Sequence, residues 1–320
     1  MSFIAAAASY PIDTLLTFEA LEAKWQSWVE SAVEAGAELL CFPEYGAIEA
    51  ALAHLTQGEM FQTDITQTDQ LSRASDPMGQ IEIMAVCEAR LLSFWQGMAV
   101  RYGVHILSPG LPLMQEAGAP VNRAHFITAE GATDYQDKMM PTPFEREMWG
   151  MEAGAPLKVF DTQLGKIAVL ICYDCEFPLL ARAAMEAGAK ILLVPSCTDN
   201  AQGYWRVRIG AMARALEGQC VVIQSALIGH CEWSPSTDVN YGAAGIYGPP
   251  DLGFPETGVI AGGALNEPNW VMAEIDLDKI DQLRREGAVR PFDHWPEQVA
   301  SLGEQAAALG KAATVIRLKR

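Results

Sequence analysis

Residues 167–196 read IAVLICYDCEFPLLARAAMEAGAKILLVPS. IAVLIC is a short apolar run rich in branched side chains, as expected for a strand buried on both faces. YDCEFP turns the chain, with Pro178 standing just before a helix, where its missing N–H costs least. LLARAAMEAG has helical character and stops at Gly188, a common helix terminator. KILLVPS is a second buried strand. The stretch is therefore a β-α-β unit, and the fold class is α/β.

Working outward, the same grammar recurs near the start of the chain. TFEALEAKWQSWVESAVEAG reads as an amphipathic helix and AELLCFPEYG as the strand that follows. VEAGAELLCFPE (Val33 to Glu44) and MEAGAKILLVPS (Met185 to Ser196) match in design: a helix end, an A-G-A turn, an apolar strand and a proline. Two uses of one device suggest two similar α/β halves in one domain. Between and after them, ASDPMGQIEIMAVCEARLLSFWQGMAVRYG and RVRIGAMARALEGQ read as helices, and VHILSPG and CVVIQSAL as strands. RAHFITAEG and ATDYQDK form a hairpin around Glu130-Gly131. YGAAGIYGPPD and NWVMAEIDL add strand-like pieces, and the segment from His294 reads as a helix followed by a short basic strand or tail. No linker or composition break divides the chain. Residues 1–285 read as one domain, and 286–320 as a helical C-terminal extension packing on the domain or on a dimer partner.

Half of the 320 residues are hydrophobic, enough for a sizeable core, and the formal charge is −18. That charge argues against nucleic-acid binding, which needs clustered Lys and Arg. MSFIAAAASYP lacks the basic start and length of a secretion signal. No run approaches the roughly 20 apolar residues that span a bilayer. The seven cysteines are odd in number and several sit in apolar runs, which suits reduced, buried thiols in the cytoplasm.

The Cys172-x-x-Cys175 pair admits three readings: a redox couple, half of a metal site, or one working thiol beside a bystander. A metal site needs further ligands at suitable spacing, and no second C-x-x-C or H-x-x-x-H exists. Thioredoxin-type pairs usually enclose small or proline residues, whereas Tyr173 and Asp174 lie between these two. Catalytic groups of α/β folds gather at carboxyl ends of strands. Cys172 ends one strand, Glu44 another, and Lys138 follows a third. A thiol, a carboxylate and an ammonium would converge if those strands share a sheet.

FPEYG at 42–46, DYQDKMMPTPFE at 134–145 and GKIAVLICYDCEFPLLAR at 165–182 together resemble the carbon–nitrogen hydrolase (nitrilase) superfamily, in an amidohydrolase-like branch. The order Glu, Lys, Cys is similar too, and the likeness covers roughly residues 1 to 280. The resemblance implies a four-layer α-β-β-α sandwich of the nitrilase type and a triad of Glu44, Lys138 and Cys172. It implies hydrolysis of a small amide through a Cys172 thioester, with no metal and no organic cofactor. Glu44 would be the general base, Lys138 the oxyanion stabiliser with help from the Tyr173 N–H, and Glu145 a second glutamate holding Lys138. The roles make chemical sense: a thiol of pKa about 8.5 is only a few per cent thiolate at neutral pH and needs a base or a cation beside it.

The chain departs from the family at several points. Glu217-Gly218 replaces the usual E-N, and GAAGI puts Ala244 where a serine is usual; both positions are expected near the pocket. Cys175 and Glu176 stand where carbamoylase-like members carry an Arg pair, and Tyr173-Asp174 where strict nitrilases carry Trp-Glu. Amide hydrolysis is therefore favoured over N-carbamoyl or nitrile hydrolysis. The rival readings are a catalytically silent scaffold of the same fold and a redox protein using Cys172 and Cys175. A small-molecule amide is the expected partner, without nucleic acid or membrane, in a homodimer. Trp149, Tyr204, Trp205 and Arg206 are candidates for the substrate entrance, with loops at 57–80, 141–155 and 232–258 shaping the pocket.

Overall fold

Along the first strand, Ser2–Pro11, side chains alternate between two apolar layers. Phe3, Ala5 and Ala7 enter one core cluster, Ala6, Ala8 and Tyr10 the other, with the period of two that a strand imposes. Sequence reading leaves this strand unassigned, because the run Ala5–Ala8 carries little strand propensity. Tertiary packing overrides that: with both faces covered, small side chains let the layers approach closely. The computed structural model describes residues 2–58, 76–115, 118–234, 237–302 and 314–317. Most of the 57–80 loop and residues 303–313 of the expected C-terminal helix lie outside these.

One half of the sandwich holds β1 (Ser2–Pro11), β2 (Leu39–Cys41), β3 (His105–Leu107), β4 (Leu111–Leu113), β5 (Val121–Ile127) and β6 (Thr133–Asp137). The other half is built on β7 (Lys158–Thr162), β8 (Gly165–Val169), β9 (Ile191–Ser196) and β10 (Val221–His230). β11 (Val239–Asn240) and β12 (Gly245–Tyr247) pair with β10, β13 (Val259–Gly262) with β12, β14 (Asn269–Asp276) with β1, and β15 (Thr314–Arg317) with β7. The strand order is β15-β7-β8-β9-β10-β1-β2-β3-β5-β4.

The halves meet at one narrow seam. β1 pairs with β2 over Ala5–Ala7 and with β14 over Ser2–Ser9, and only Ser9–Pro11 reach β10. Beyond that seam the sheet folds over itself. Phe126 of β5 lies flat on Phe160 of β7, with ring centroids 5.1 Å apart, although the two strands stand on opposite arms of the order.

Helices close both outer faces. Phe18–Glu34 starts at Thr17, whose side chain accepts from Ala20 N, and Pro77–Tyr102 starts at Asp76 and stops at Gly103 in a left-handed conformation. Such caps satisfy amides that a helix end leaves bare. Trp25 packs on Trp95, which in turn packs on Phe42, and truncating either tryptophan to Ala would cost about 3–5 kcal/mol. On the other face, helices Pro178–Glu186 and Ala201–Gly218 bury Ala181, Ala184, Met185, Val207 and Ala211. The result is the expected four-layer α-β-β-α sandwich in a single domain. Among the described residues no helix is long and apolar enough to cross a membrane.

Candidate active site

Three strand exits converge. Glu44 follows β2, Lys138 follows β6, and Cys172 opens a one-turn 3-10 helix, Cys172–Glu176, just past β8. All three side chains are buried. Lys138 Nζ lies 2.7 Å from Glu44 Oε1 and 2.9 Å from Glu145 Oε1. Glu145 sits in the helix Pro143–Met148, where it completes a capping box: Thr142 Oγ1 accepts from Glu145 N, and Thr142 N donates to Glu145 Oε2. The carboxylate that caps the helix therefore also holds the lysine.

Two contributors went unread in the sequence. Asn122 Nδ2 donates to Glu44 Oε1 at 2.7 Å and to Glu145 Oε1 at 3.1 Å, bridging the two oxygens that Lys138 bridges from its own side. The hairpin register carried the signal, since Arg123 pairs with Asp137 and the next pair outward is Asn122 with Lys138 (N to O, 2.8 Å). Cys197 donates its backbone N–H to Glu44 Oε2 at 2.9 Å, a contact no side-chain pattern reveals. Tyr45, whose hydroxyl donates to Glu145, adds a fourth donor to the Glu145 carboxylate beside Lys138, Asn122 and the Thr142 N–H.

The electrostatics separate the two glutamates. Burial pushes Glu44 above the ordinary carboxylate range; Lys138 pulls it back, and the neighbouring charge of Glu145 pushes it up again. Burial acts on Glu145 too, yet the charge and hydrogen bond of Lys138, with those from Tyr45 and Thr142, leave it below that range. Burial works against the Lys138 charge, but Glu145 and Glu44 outweigh it and hold the ammonium well above the usual lysine range. Burial and then the Glu44 charge push the Cys172 thiol well up, with Lys138 opposing them. The resting arrangement is a thiol donating to Cys197 O at 3.8 Å, with Lys138 charged between two carboxylates. Cys172 itself is held at φ +49°, a left-handed conformation costing a non-glycine residue roughly 1–2 kcal/mol.

These groups floor a cavity of about 290 Å³. Tyr173, Phe144 and Trp149 give it an aromatic wall, and Glu176, Asp199, Asp238 and Arg206 stand toward solvent. Of the entrance candidates, Trp149 and Arg206 line this cavity; Tyr204 is buried against Trp205 and Tyr241, and Trp205 is 48% exposed. Gly218 and Ala244, the family departures expected near the pocket, do not line it. A Cβ at Gly218 would fall 1.8 Å from Met185 Sδ, so an asparagine there would require Met185 to move, and Ala244 is buried with its N–H donated to Ser9 Oγ. Cys175 turns away from the cavity, its thiol donating to Val207 O at 3.5 Å. Among the described residues no group of three His, Cys, Asp or Glu side chains is placed to hold a metal ion.

A carbon-nitrogen hydrolase family profile matches residues 4–285. The chain belongs to the carbon-nitrogen hydrolase family. It is 32% identical over 283 residues to "Probable hydrolase YhcX" of Bacillus subtilis, an alignment covering 88% of this chain and 51% of that protein. The chain thus spans about half the length of that curated relative. A carbon-nitrogen hydrolase from Helicobacter pylori superposes with a TM-score of 0.69 at 16% identity, covering 91% of this chain and 94% of that one. An amidase from Nesterenkonia sp. AN1 superposes with a TM-score of 0.58 at 19% identity, covering 89% of this chain and 97% of its own; it was solved after Michael addition of acrylamide at its active site cysteine. These two likenesses are of fold, and they agree with the sandwich and its single domain.

Proposed function

We propose that the chain hydrolyses a carbon–nitrogen bond of a small amide through a Cys172 thioester. The observation that carries this reading is the buried Lys138 ammonium, 2.7 Å from Glu44 and 2.8 Å from Glu145, beside a thiol at the floor of a cavity. Glu44 takes the Cys172 proton as sulfur attacks the amide carbon, and its raised pKa makes it a stronger base than an exposed glutamate. The carbonyl oxygen becomes an oxyanion that Lys138 stabilises, with the Tyr173 N–H as second donor. Collapse breaks the C–N bond, and Glu44 returns the proton to the departing nitrogen. A water deprotonated by Glu44 then attacks the thioester, releasing the acid and restoring the thiol. Glu145 stays ionised throughout and keeps Lys138 in place. The amidase name carried by the Nesterenkonia neighbour fits this class.

The solvent end of the cavity supports a neutral or cationic amide over an anionic one. Glu176, Asp199 and Asp238 face a single guanidinium, Arg206, which is 63% exposed and 3.7 Å from Glu176. A cytoplasmic homodimer completes the reading; its pairing is supported by Trp205, Ile209 and Leu216, exposed apolar side chains of the helix Ala201–Gly218. The packing of the C-terminal extension, 286–320, on the 1–285 domain is supported by Phe292 under Arg182 and Arg284 and by β15 pairing with β7 of the same chain.

The test is site-resolved alkylation with limiting iodoacetamide at neutral pH, alongside ammonia release from a panel of neutral, cationic and anionic amides. Cys172 should react far faster than the other six cysteines, and Cys172→Ala should abolish ammonia release. An inert Cys172, or turnover surviving Cys172→Ala, would refute the mechanism; a Cys172–Cys175 disulfide would restore the redox alternative.

A further inference from the structure

We propose that Asp174 is a positioning residue that fixes the separation of Cys172 and Lys138 by bonding both segments with one carboxylate. The inference rests on the reading of Cys172 and Lys138 as nucleophile and oxyanion partner.

Asp174 lies two residues beyond the nucleophile and is 0% exposed. Its Oδ2 accepts from Ile171 N at 3.0 Å, the amide that enters the left-handed turn at Cys172. Its Oδ1 accepts from Met140 N at 2.8 Å, and both oxygens lie within 3.3 Å of Met139 N. Met139 and Met140 are the residues directly after Lys138. One buried group therefore holds the backbone on both sides of the reacting pair.

The topology says why such a brace is needed. Lys138 leaves β6, which pairs with β5 in one half of the sandwich, whereas Cys172 leaves β8, between β7 and β9 in the other. No strand pairing joins β6 to β8, so a slide of one half over the other would change the Cys172–Lys138 distance directly. Packed apolar faces resist separation better than they resist sliding, because dispersion and hydrophobic contact are non-directional. Directional hydrogen bonds across the gap supply the missing constraint.

Only a carboxylate suits the place. Three N–H donors converge on it, and a carboxylate offers acceptors alone, with room for about four bonds. An asparagine would turn its NH2 toward one of the two segments and face donor to donor. Burial raises Asp174 to about 7, against the pull of Lys138 and of the three amides; the ionised form is the one that accepts all of these bonds.

The experiment compares Asp174→Asn with wild type on three readouts: the Cys172 alkylation rate, kcat and KM on the best amide, and the urea unfolding curve. Misplacing a reacting group by about 1 Å can cost some 10²-fold. The Asn variant should therefore unfold cooperatively, keep KM within about threefold and lose roughly 10–10²-fold in kcat. Its Cys172 alkylation rate should shift by a comparable factor. An unchanged alkylation rate overturns the proposal, whether or not an amide substrate is in hand. So does a kcat loss no larger than the unfolded fraction explains. A wild-type protein that turns over no amide refutes the proposed function instead, and the alkylation comparison still decides the role of Asp174. If Asp174→Asn does not fold, Asp174→Glu, which keeps charge and acceptors but moves them by one methylene, takes its place. Wild-type alkylation and kcat in a folded Glu variant would overturn the proposal.

Discussion

The segments Val33–Glu44 and Met185–Ser196 share a design and part company at their last residue. In both, a helix ends on a glycine with positive φ, +88° at Gly36 and +97° at Gly188. In both, the glycine N–H bonds back three residues (Gly36 N to Val33 O, 2.8 Å; Gly188 N to Met185 O, 2.9 Å) and the following alanine bonds back five, at 3.0 Å each time. The next amide then enters the sheet, Glu38 N to Ile4 O and Lys190 N to Lys166 O. The exits differ. After Pro43 comes Glu44, aimed at Lys138, whereas after Pro195 comes Ser196, whose hydroxyl is spent on Ser225 O at 2.6 Å. The second exit still reaches the site, one residue later, through the Cys197 N–H on Glu44. One half supplies the working side chain and the other a backbone donor. The helix-turn-strand device is thus scaffold, and the chemistry lies in the residue placed at its end.

Swapping side chains at the two exits gives the widest contrast. Glu44→Gln keeps the shape and removes the proposed base, so kcat should fall by about 10²–10⁴-fold, read as ammonia release with unfolding by urea as control. Ser196→Ala at the matched position should leave kcat within about twofold and cost near 1 kcal/mol of stability. Equal losses of turnover at both exits would mean that the scaffold, not the residue it presents, sets activity.

Asn122 sharpens the contrast within the Glu44 half. Its amide donates to both carboxylates flanking Lys138, and a hydrogen bond to a charged group contributes about 1.5–3 kcal/mol. Asn122→Ala should therefore lower kcat by roughly 10–10²-fold. The sign of the pH effect follows from what is lost. Glu44 is already raised by burial, and removing a donor to its charged form raises it further. The acid limb of kcat/KM should move to higher pH, with the basic limb in place. A profile that keeps its acid limb would take Glu44 out of the role of base.

Much of this was legible because it is local. Strand exits, the A-G-A turns and the hairpin at Glu130-Gly131 are short patterns whose geometry follows from a few neighbouring residues. Glu44, Lys138 and Cys172 each stand beside such a pattern, whereas Glu145 was indicated by the family resemblance alone. What escaped is non-local or unmarked. Asn122 meets Glu44 across 78 positions of sequence, Cys197 acts through an amide that nearly any residue would supply, and Asp174 works between segments 34 positions apart. β1 escaped for a different reason: its alanines announce close packing on two faces, which intrinsic strand preference does not register.

The glycines give the finest cut. An alanine at either position must adopt a left-handed conformation costing roughly 1–2 kcal/mol, so Gly36→Ala and Gly188→Ala should both destabilise while leaving kcat nearly untouched. The surroundings then rank them. A Cβ at Gly36 meets Ile4 Cδ1 at 3.3 Å, and Ile4 packs against the helical core cluster. At Gly188 the new atom meets Lys166 Nζ and Cδ at 3.1 Å, the far end of a flexible chain that can swing aside after giving up its bond to Ala187 O. Gly36→Ala should therefore cost a few tenths of a kcal/mol more, a difference that shows in the urea midpoint at constant slope. A larger loss at Gly188 would mean that the Lys166–Ala187 bond clamps that turn, and that the two exits differ in their scaffold as well as in what they present.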